Sequence, residues 1–185
     1  ANWFVYHKST GAGKSLKLNT TDGESSNTIS FGNTTPTSTV FTVGDDGGDY
    51  GTNYPNGGTF VAYCFAEKTG YSKIGSFVSN GDNNGAFIYT GFKSSFILLK
   101  KSSGSGTDWY IFNNKSPGYN DNNKSLRANT TQTEAQASGY SMDILSNGFK
   151  IRTSNTALGE SGATYIYYAV GQSLVGDNNV PCTAR

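Results

Sequence analysis

Short apolar and aromatic runs alternate with clusters of Gly, Asn, Ser and Thr along the whole chain of 185 residues. Runs such as SFILLKK (95–101) and TYIYYAV (164–170) have the length of a strand and are rich in β-branched and aromatic residues. No segment shows a convincing helical period, so helix should be limited to a turn or two. The pattern predicts an all-β protein, an antiparallel β-sandwich.

The predicted strands follow these runs: 3–7, 15–18, 38–43, 59–67, 86–92, 95–101, 109–113, 140–145, 148–154 and 164–170. Asn147-Gly148 between two alternating runs predicts a hairpin with a type I′ turn, which needs positive φ twice. The run 59–67 has apolar groups on both faces, which predicts a strand covered on two sides. Cys64 within it is expected to be a buried free thiol, although a bridge to Cys182 stays open.

The chain repeats itself. Four blocks recur in the same order, each 105 to 110 residues from its counterpart. The pairs are NWFVYHKS and DWYIFNNKS, KSLKLNTT and KSLRANTT, FTV and FKI, and TFVAYCF and TYIYYAV. We therefore predict two related repeat units of one fold, residues 1–80 and 81–175, followed by a C-terminal tail, 176–185.

The first unit has no counterpart of the hairpin sequence GAFIYTGFKSSFILLKK (85–101). A sheet without this hairpin exposes hydrogen-bonding edges and one side of its core. The first unit is therefore expected to pack on the second, to receive strands from another chain, or to belong to a longer protein.

The charge distribution and the length of the apolar runs argue against two classes of partner, nucleic acid and membrane. The net charge is +1, and Lys and Arg are spread along the chain without a basic run, so nucleic acid is not expected as a partner. No apolar stretch approaches the roughly 20 residues that span a bilayer, so membrane insertion is not expected either. Charged residues make up only 15% of the chain, so its polarity comes mainly from hydroxyls and amides.

The acidic stretch TVGDDGGDYGTNYPNGG (42–58) is one candidate site. Asp45, Asp46 and Asp49 could supply carboxylate oxygens to calcium, the one cofactor that the sequence suggests. The corresponding span of the second unit, RTSNTALGESGA, carries no aspartate, so the fold makes this connection without them. The spacing differs from that of an EF-hand, and a plain surface loop is the favoured alternative.

A second candidate is NNKSPGYNDNNKS (113–125), whose residues Tyr119, Asn120, Asp121 and Asn122 suit a glycan. An aromatic face can pack on the C–H surface of a sugar, and amides and carboxylates can bind its hydroxyl groups. Binding residues concentrate in loops on rigid scaffolds. The alternative is a surface turn made of ordinary turn residues.

Catalytic groups are not evident. His7 is the single histidine and its counterpart is Asn113, which argues against a Ser-His-Asp triad. No strand carries the paired carboxylates of a glycosidase, so an enzyme is not expected. Trp3 and Trp109 are counterparts and are predicted to be core or half-buried anchors.

The blocks NWFVYHKS, MDILSNGFKIRTSN and ATYIYYAVGQSLVGDNNVPCTAR closely resemble tandem repeat domains in virion proteins of tailed phages, especially phages of marine bacteria. The resemblance covers essentially the whole chain and implies a jelly-roll, concanavalin A-like β-sandwich. It also implies that Ala1 is not the original start and that VPCTAR is a true C-terminus. The family fixes no catalytic residues.

The resemblance implies a structural virion protein of tail-fibre, spike or decoration type, extracellular and with a role in host attachment. Its expected partners are copies of itself, other virion proteins and a host-surface glycan. A carbohydrate-binding module is the alternative function, and a polysaccharide depolymerase is a weaker one.

Overall fold

The computed structural model describes residues 2–45, 51–53, 59–104, 106–116, 119–136 and 139–171. Within these ranges the protein has no helix, and every strand pairing is antiparallel. The strands are β1 (Phe4–Val5), β2 (Lys14–Lys17), β3 (Ser25–Ser26), β4 (Ser72–Val78), β5 (Phe87–Tyr89), β6 (Ser94–Lys101), β7 (Tyr110–Asn113), β8 (Lys124–Arg127), β9 (Ala135–Gln136), β10 (Met142–Leu145), β11 (Gly148–Ile151) and β12 (Thr164–Gly171). The predicted all-β class is confirmed.

Two sheets form a sandwich. The large sheet has six strands in the order β4-β12-β6-β7-β8-β9, and the small sheet has three in the order β10-β11-β5. Alternate residues of β12 point into the space between them, because successive side chains of a strand face opposite sides. Tyr165 and Ala169 on β12 are fully buried there against Phe149 and other side chains of the small sheet. This core confirms the predicted antiparallel β-sandwich.

The β10–β11 hairpin is confirmed, but not for the predicted reason. Leu145 pairs with Gly148 across a two-residue loop, and neither Asn147 nor Gly148 has a positive φ. A Cβ at Gly148 would lie 2.1 Å from the carbonyl oxygen of Ile88 on β5. The glycine is therefore required by the close approach of a neighbouring strand, and not by a type I′ turn.

A third layer covers the other face of the large sheet. This N-terminal sheet has the order β1-β2-β3. Leu16 of β2 is buried with Trp109 and Ile166 of the large sheet. The indole N–H of Trp109 donates to the main-chain oxygen of Lys17 at 2.9 Å. The N-terminal sheet is thus fixed by an apolar contact and by a hydrogen bond from a buried ring.

The N-terminal sheet reproduces the register of β7, β8 and β9. Phe4 pairs with Lys17 as Tyr110 pairs with Arg127, at sequence offsets of 106 and 110. The second ladder also agrees, as shown by Lys14 with Ser26 and Lys124 with Gln136. A side-chain hydrogen bond also recurs beside both ladders. The backbone N–H groups of Trp3 and Trp109 each donate to an asparagine Oδ1, in Asn19 and Asn129.

Two predicted strands are wrong. Residues 38–43 and 59–67 belong to no strand, and the large apolar side chains Phe41 and Tyr63 are exposed, Tyr63 by 69%. Cys64 is an exposed free thiol and not a buried one, and Cys182 lies outside the described residues. A strand exists only where a neighbouring strand supplies hydrogen-bond partners, and these segments have no such neighbour.

Two strands inside the predicted first unit were missed, the short β3 and the longer β4. β4 pairs with β12 along seven residues, from Val78 with Thr164 to Ser72 with Val170. Its sequence, SKIGSFV, has a glycine at the centre, which weakens strand propensity. The Gly75 position is nonetheless required, because a Cβ there would lie 2.7 Å from the hydroxyl of Tyr167.

In the described part of the chain, no helix is long and apolar enough to cross a membrane.

Candidate functional site

An open pocket of about 500 Å³ lies at one edge of the small sheet. Five polar side chains line it, contributed by β10, by the residue after β11 and by two loops: Asn83, Asn120, Asp121, Asp143 and Arg152. Asn120 and Asp121 were singled out from the sequence, whereas the other three were not. The pocket therefore combines a predicted loop with residues that only the fold brings beside it.

The β10–β11 hairpin places the charged side of the pocket. Met142 and Ile144 point into the core, so Asp143 between them must face outward. Arg152 follows β11 directly, and its Nε lies 3.3 Å from Oδ2 of Asp143. Both side chains keep partial contact with water, the arginine more than the aspartate. The ion pair orients the two groups at the rim of the pocket.

The loop between β4 and β5 supplies one amide, that of Asn83, to the pocket lining. Asn83 Oδ1 accepts a hydrogen bond from the backbone N–H of Ser154 at 2.8 Å. Asn84 Oδ1 accepts one from the Arg152 guanidinium at 3.4 Å. The turn is closed locally by Asp82, whose carboxylate accepts from the Asn84 N–H at 2.7 Å. The loop is thereby tied to the segment that follows β11.

Asn120 is held by main-chain groups of β10. Its amide imitates a peptide, since Nδ2 donates to the Ile144 oxygen at 3.0 Å and Oδ1 accepts from the Ile144 N–H at 2.9 Å. Asp121 Oδ2 accepts from the Ser141 hydroxyl at 2.7 Å. An amide has two donor hydrogens and a carboxylate has two oxygens, so each group keeps hydrogen-bonding capacity for a ligand. Both groups are also pre-oriented by these bonds.

The other two residues of the predicted glycan site differ in position. Tyr119 is 79% exposed beside the pocket residue Asn120, so its ring is accessible to a ligand. Asn122 is only 1% exposed, and its Nδ2 donates to the Asn113 oxygen at 2.7 Å. Asn122 therefore belongs to the scaffold and is removed from the candidate site.

The predicted calcium site falls largely outside the described residues. Asp46 and Asp49 lie there, while Asp45 is described and exposed. Among the residues with a described placement, no group of three or more His, Cys, Asp or Glu side chains could hold a metal ion. Calcium binding by this stretch remains a prediction.

His7 is buried and has a defined tautomer. The Ser9 backbone N–H donates to its Nδ1 at 3.2 Å, so the ring proton is on Nε2, which faces the Tyr167 oxygen at 3.3 Å. Burial lowers the pKa of His7, and the nearby Lys8 charge adds to this, although the bond to Tyr167 opposes it. His7 thus joins the N-terminal segment to β12 as a neutral ring.

The two tryptophans differ in burial. Trp109 is buried, as predicted for an anchor, and Lys100 Nζ lies 5.8 Å from its ring centroid. Trp3 is 52% exposed, and its ring stacks on Tyr63 at a centroid distance of 6.2 Å. The predicted core position is confirmed for Trp109, whereas Trp3 is only about half-buried, against Tyr63.

The sequence analysis did not identify three of the pocket residues, Asn83, Asp143 and Arg152. Asp143 is a polar position in β10, a strand that was predicted, and alternation alone would have placed it on the outer face. Arg152 follows the last residue of β11, within the longer strand predicted over 148–154. Their proximity to Asn120 could not be read from the sequence, because it depends on which edge of β10 the 120–122 segment follows. Asn83 lies in a loop rich in Asn, Gly and Asp, where turn composition hides a binding role.

The fold and the pocket define the class: an all-β antiparallel sandwich with a polar surface pocket. Residues 1–173 match a protein family described as Domain of unknown function (DUF7483), and the chain belongs to this family. Comparison with curated proteins and with solved structures finds no match.

Proposed function

We propose that the protein is a structural virion protein of tail-fibre, spike or decoration type whose sandwich binds a host-surface glycan. The virion assignment is supported by the resemblance of its sequence blocks to phage repeat domains. The glycan assignment is supported by one structural observation, the pocket that joins Asn120 and Asp121 to Asn83, Asp143 and Arg152.

The pocket suits a sugar because it combines planar amide, carboxylate and guanidinium groups with an accessible aromatic ring. These groups are held by hydrogen bonds to the scaffold, so little side-chain entropy is lost when a ligand binds. Tyr119 provides an apolar face next to the polar wall. A rigid polar wall with one aromatic edge is the arrangement that a hydroxyl-rich ring needs.

The charges favour a neutral glycan over an acidic one. Asp143 is paired with Arg152, which leaves the Asp121 carboxylate as an additional negative charge in the pocket. A uronic or sialic acid would meet like charge there. The preferred ligand is therefore a neutral hexose or an amino sugar.

A glycan array tests this function. The protein is expected to bind neutral glycans and to bind weakly or not at all to acidic ones. Tyr119→Ala should weaken binding about fivefold, by the loss of an aromatic contact worth about 1 kcal/mol. The matched control is Tyr71→Ala, which removes another exposed tyrosine at the start of β4, on the opposite end of that strand from Asn83.

Two results would overturn the glycan assignment: no binding to any neutral glycan, or equal loss of binding in both tyrosine variants. Reducing-sugar release from the bound glycans is measured in parallel. Release that disappears in Asp121→Asn or Asp143→Asn would assign a depolymerase instead, with these two carboxylates as its acid pair.

The virion assignment has its own test. Crosslinking of purified phage particles, followed by mass spectrometry, should join this chain to copies of itself and to other virion proteins. Absence of the chain from intact particles would contradict the assignment and would leave the glycan result unaffected.

A further inference from the structure

Residues 59–65, here called the acceptor segment, are exposed along their whole length. Within the described part of the chain, none of them makes a hydrogen bond. Their large apolar side chains are 55% to 72% exposed, namely Phe60, Val61, Tyr63 and Phe65. An unpaired apolar segment of this kind is a template for a partner strand.

The internal repeat identifies what the acceptor segment corresponds to. TFVAYCF, from Thr59, aligns with TYIYYAV, from Thr164, which is β12. β12 is a central strand, paired on one side with β4 and on the other with β6. The alignment is supported by β1 to β3, which have the register of β7 to β9. The acceptor segment thus has the sequence of a central strand and neither of its neighbours.

The exposure of its side chains also indicates that the acceptor segment lacks neighbouring strands. Phe60 and Cys64 align with Tyr165 and Ala169, both of which are 0% exposed in the core of the sandwich. In the acceptor segment Phe60 is 55% exposed and Cys64 is also exposed. Its apolar residues therefore match a buried pattern, although the neighbours that would bury them are not in place.

The acceptor segment is nevertheless held in position by its side chains. Tyr63 stacks on Trp3 of the N-terminal segment, and Phe65 contacts Tyr168 of β12 at a ring centroid distance of 4.9 Å. These contacts use rings and leave the backbone N–H and C=O groups for an incoming strand. Pre-positioning lowers the entropy lost on pairing.

We propose that the acceptor segment binds an antiparallel β-strand with the chemistry of β6, contributed by a further copy of the repeat unit. Such a strand has a central apolar run followed by two lysines, as in SSFILLKK. A second copy of this chain is a poor donor, because its own β6 is paired on both sides, with β12 and β7. Strand addition would link successive units and would bury Cys64.

Titration of the full chain with a synthetic peptide of the sequence KSSFILLKKSS (93–103) tests the proposal. We expect saturable binding by fluorescence anisotropy and slower alkylation of Cys64, quantified by mass spectrometry of the digest so that Cys182 is read separately. In β6 the residues with even numbers direct their N–H groups to β12, as Ser102 does toward the Thr164 oxygen just beyond the strand. A control peptide with prolines at the positions of Phe96 and Leu98 therefore has the same ends but lacks two donors of the ladder, so it should not bind.

A backbone variant gives the matched control within the protein. Val61→Pro with Ala62→Pro removes two consecutive N–H donors, one on each side of the acceptor segment. The folded chain should tolerate them, since neither residue makes a hydrogen bond. Peptide affinity should fall about fivefold, because a strand bound on one side loses one hydrogen bond worth about 1 kcal/mol.

Three outcomes would overturn the proposal. The first is an unchanged alkylation rate of Cys64 at saturating peptide, and the second is equal affinity for the proline variant. The third is self-association of the chain, seen by sedimentation without peptide and abolished by the two prolines, which would give the acceptor segment to a second copy of this chain. Glycan binding does not depend on the acceptor segment, so either idea can fail alone.

Discussion

The indole N–H of Trp109 donates to the main-chain oxygen of Lys17, 2.9 Å away, and joins the large sheet to the N-terminal sheet. The sequence counterpart of Trp109 is Trp3, which is half-exposed. The same residue type in the same local ladder is therefore an anchor in one position and a surface ring in the other.

Trp109→Phe should lower the free energy of unfolding by about 1 to 3 kcal/mol, because it removes a buried hydrogen bond and part of a buried ring. Trp3→Phe, the matched control, should change it by less than about 0.5 kcal/mol, since that ring is half-exposed and phenylalanine can keep an aromatic contact with Tyr63. Urea unfolding measures both. Equal effects of the two substitutions would show that the N-terminal sheet is not anchored through Trp109.

Lys100 gives a prediction in the alkaline range. Its side chain is buried, and Nζ donates to the main-chain oxygens of Thr21 and Thr107. Burial lowers the pKa of Lys100 from 10.5 to about 8, while the carboxylates of Asp108 and Asp22 oppose the shift. Between these values the unfolded chain binds the proton more tightly than the folded one, so the free energy of unfolding should rise with pH.

The rise should be visible from pH 8 to about 9.5, below the range in which tyrosines ionise. Lys100→Met has no ionisable group at this position and should lack this component. Urea unfolding of both proteins at several pH values gives the difference. A difference that is constant with pH would contradict the lowered pKa of Lys100.

His7 gives the corresponding prediction in acid. Burial lowers the pKa of the folded-state ring below 6.5, so the unfolded chain takes up the proton first as the pH falls. The free energy of unfolding should therefore decrease below about pH 6.5. His7→Gln keeps a donor for the Tyr167 oxygen and has no titration there, so the decrease should be smaller in this variant. Identical pH profiles for the two proteins would refute the assignment.

Gly148→Ala should destabilise the small sheet. The added Cβ would lie 2.1 Å from the Ile88 main-chain oxygen, and backbone on both strands would have to move. Overpacking of this kind costs about 1 to 3 kcal/mol. Gly139→Ala is the control, because its nearest neighbour is the flexible Asn155 side chain at 3.1 Å, and it should be close to neutral. Thermal unfolding measures both variants.

Several strands that have partners within the chain were predictable from their apolar runs, whereas β4 and β8 were not. The runs at β6 and β12 are continuous apolar stretches of strand length, and those at β7 and in the β10–β11 hairpin are also short apolar runs between polar clusters. The two failures, residues 38–43 and 59–67, have equally strong apolar patterns. Pattern alone cannot show whether a neighbouring strand is present, and pairing with a neighbour is what makes a strand.

Only the part of the candidate site that depends on local sequence could be predicted. Turn composition and ligand chemistry singled out Tyr119, Asn120 and Asp121, which lie in or beside the pocket. Asn122 has the same chemistry, but the bridge between Asn122 and Met142 turns it inward. The partners Asp143 and Arg152 depend on the register of the small sheet, a long-range property that local sequence does not encode.

The most direct test of glycan binding is a titration of the isotope-labelled chain with a neutral glycan selected on the array, followed by backbone and side-chain NMR shifts. We predict saturable shifts confined to the pocket residues Asn83, Asn120, Asp121, Asp143 and Arg152 and to the ring of Tyr119, with weaker binding in Asp143→Asn. Shifts centred elsewhere on the sandwich, or affinity unchanged in Asp143→Asn, would contradict the account.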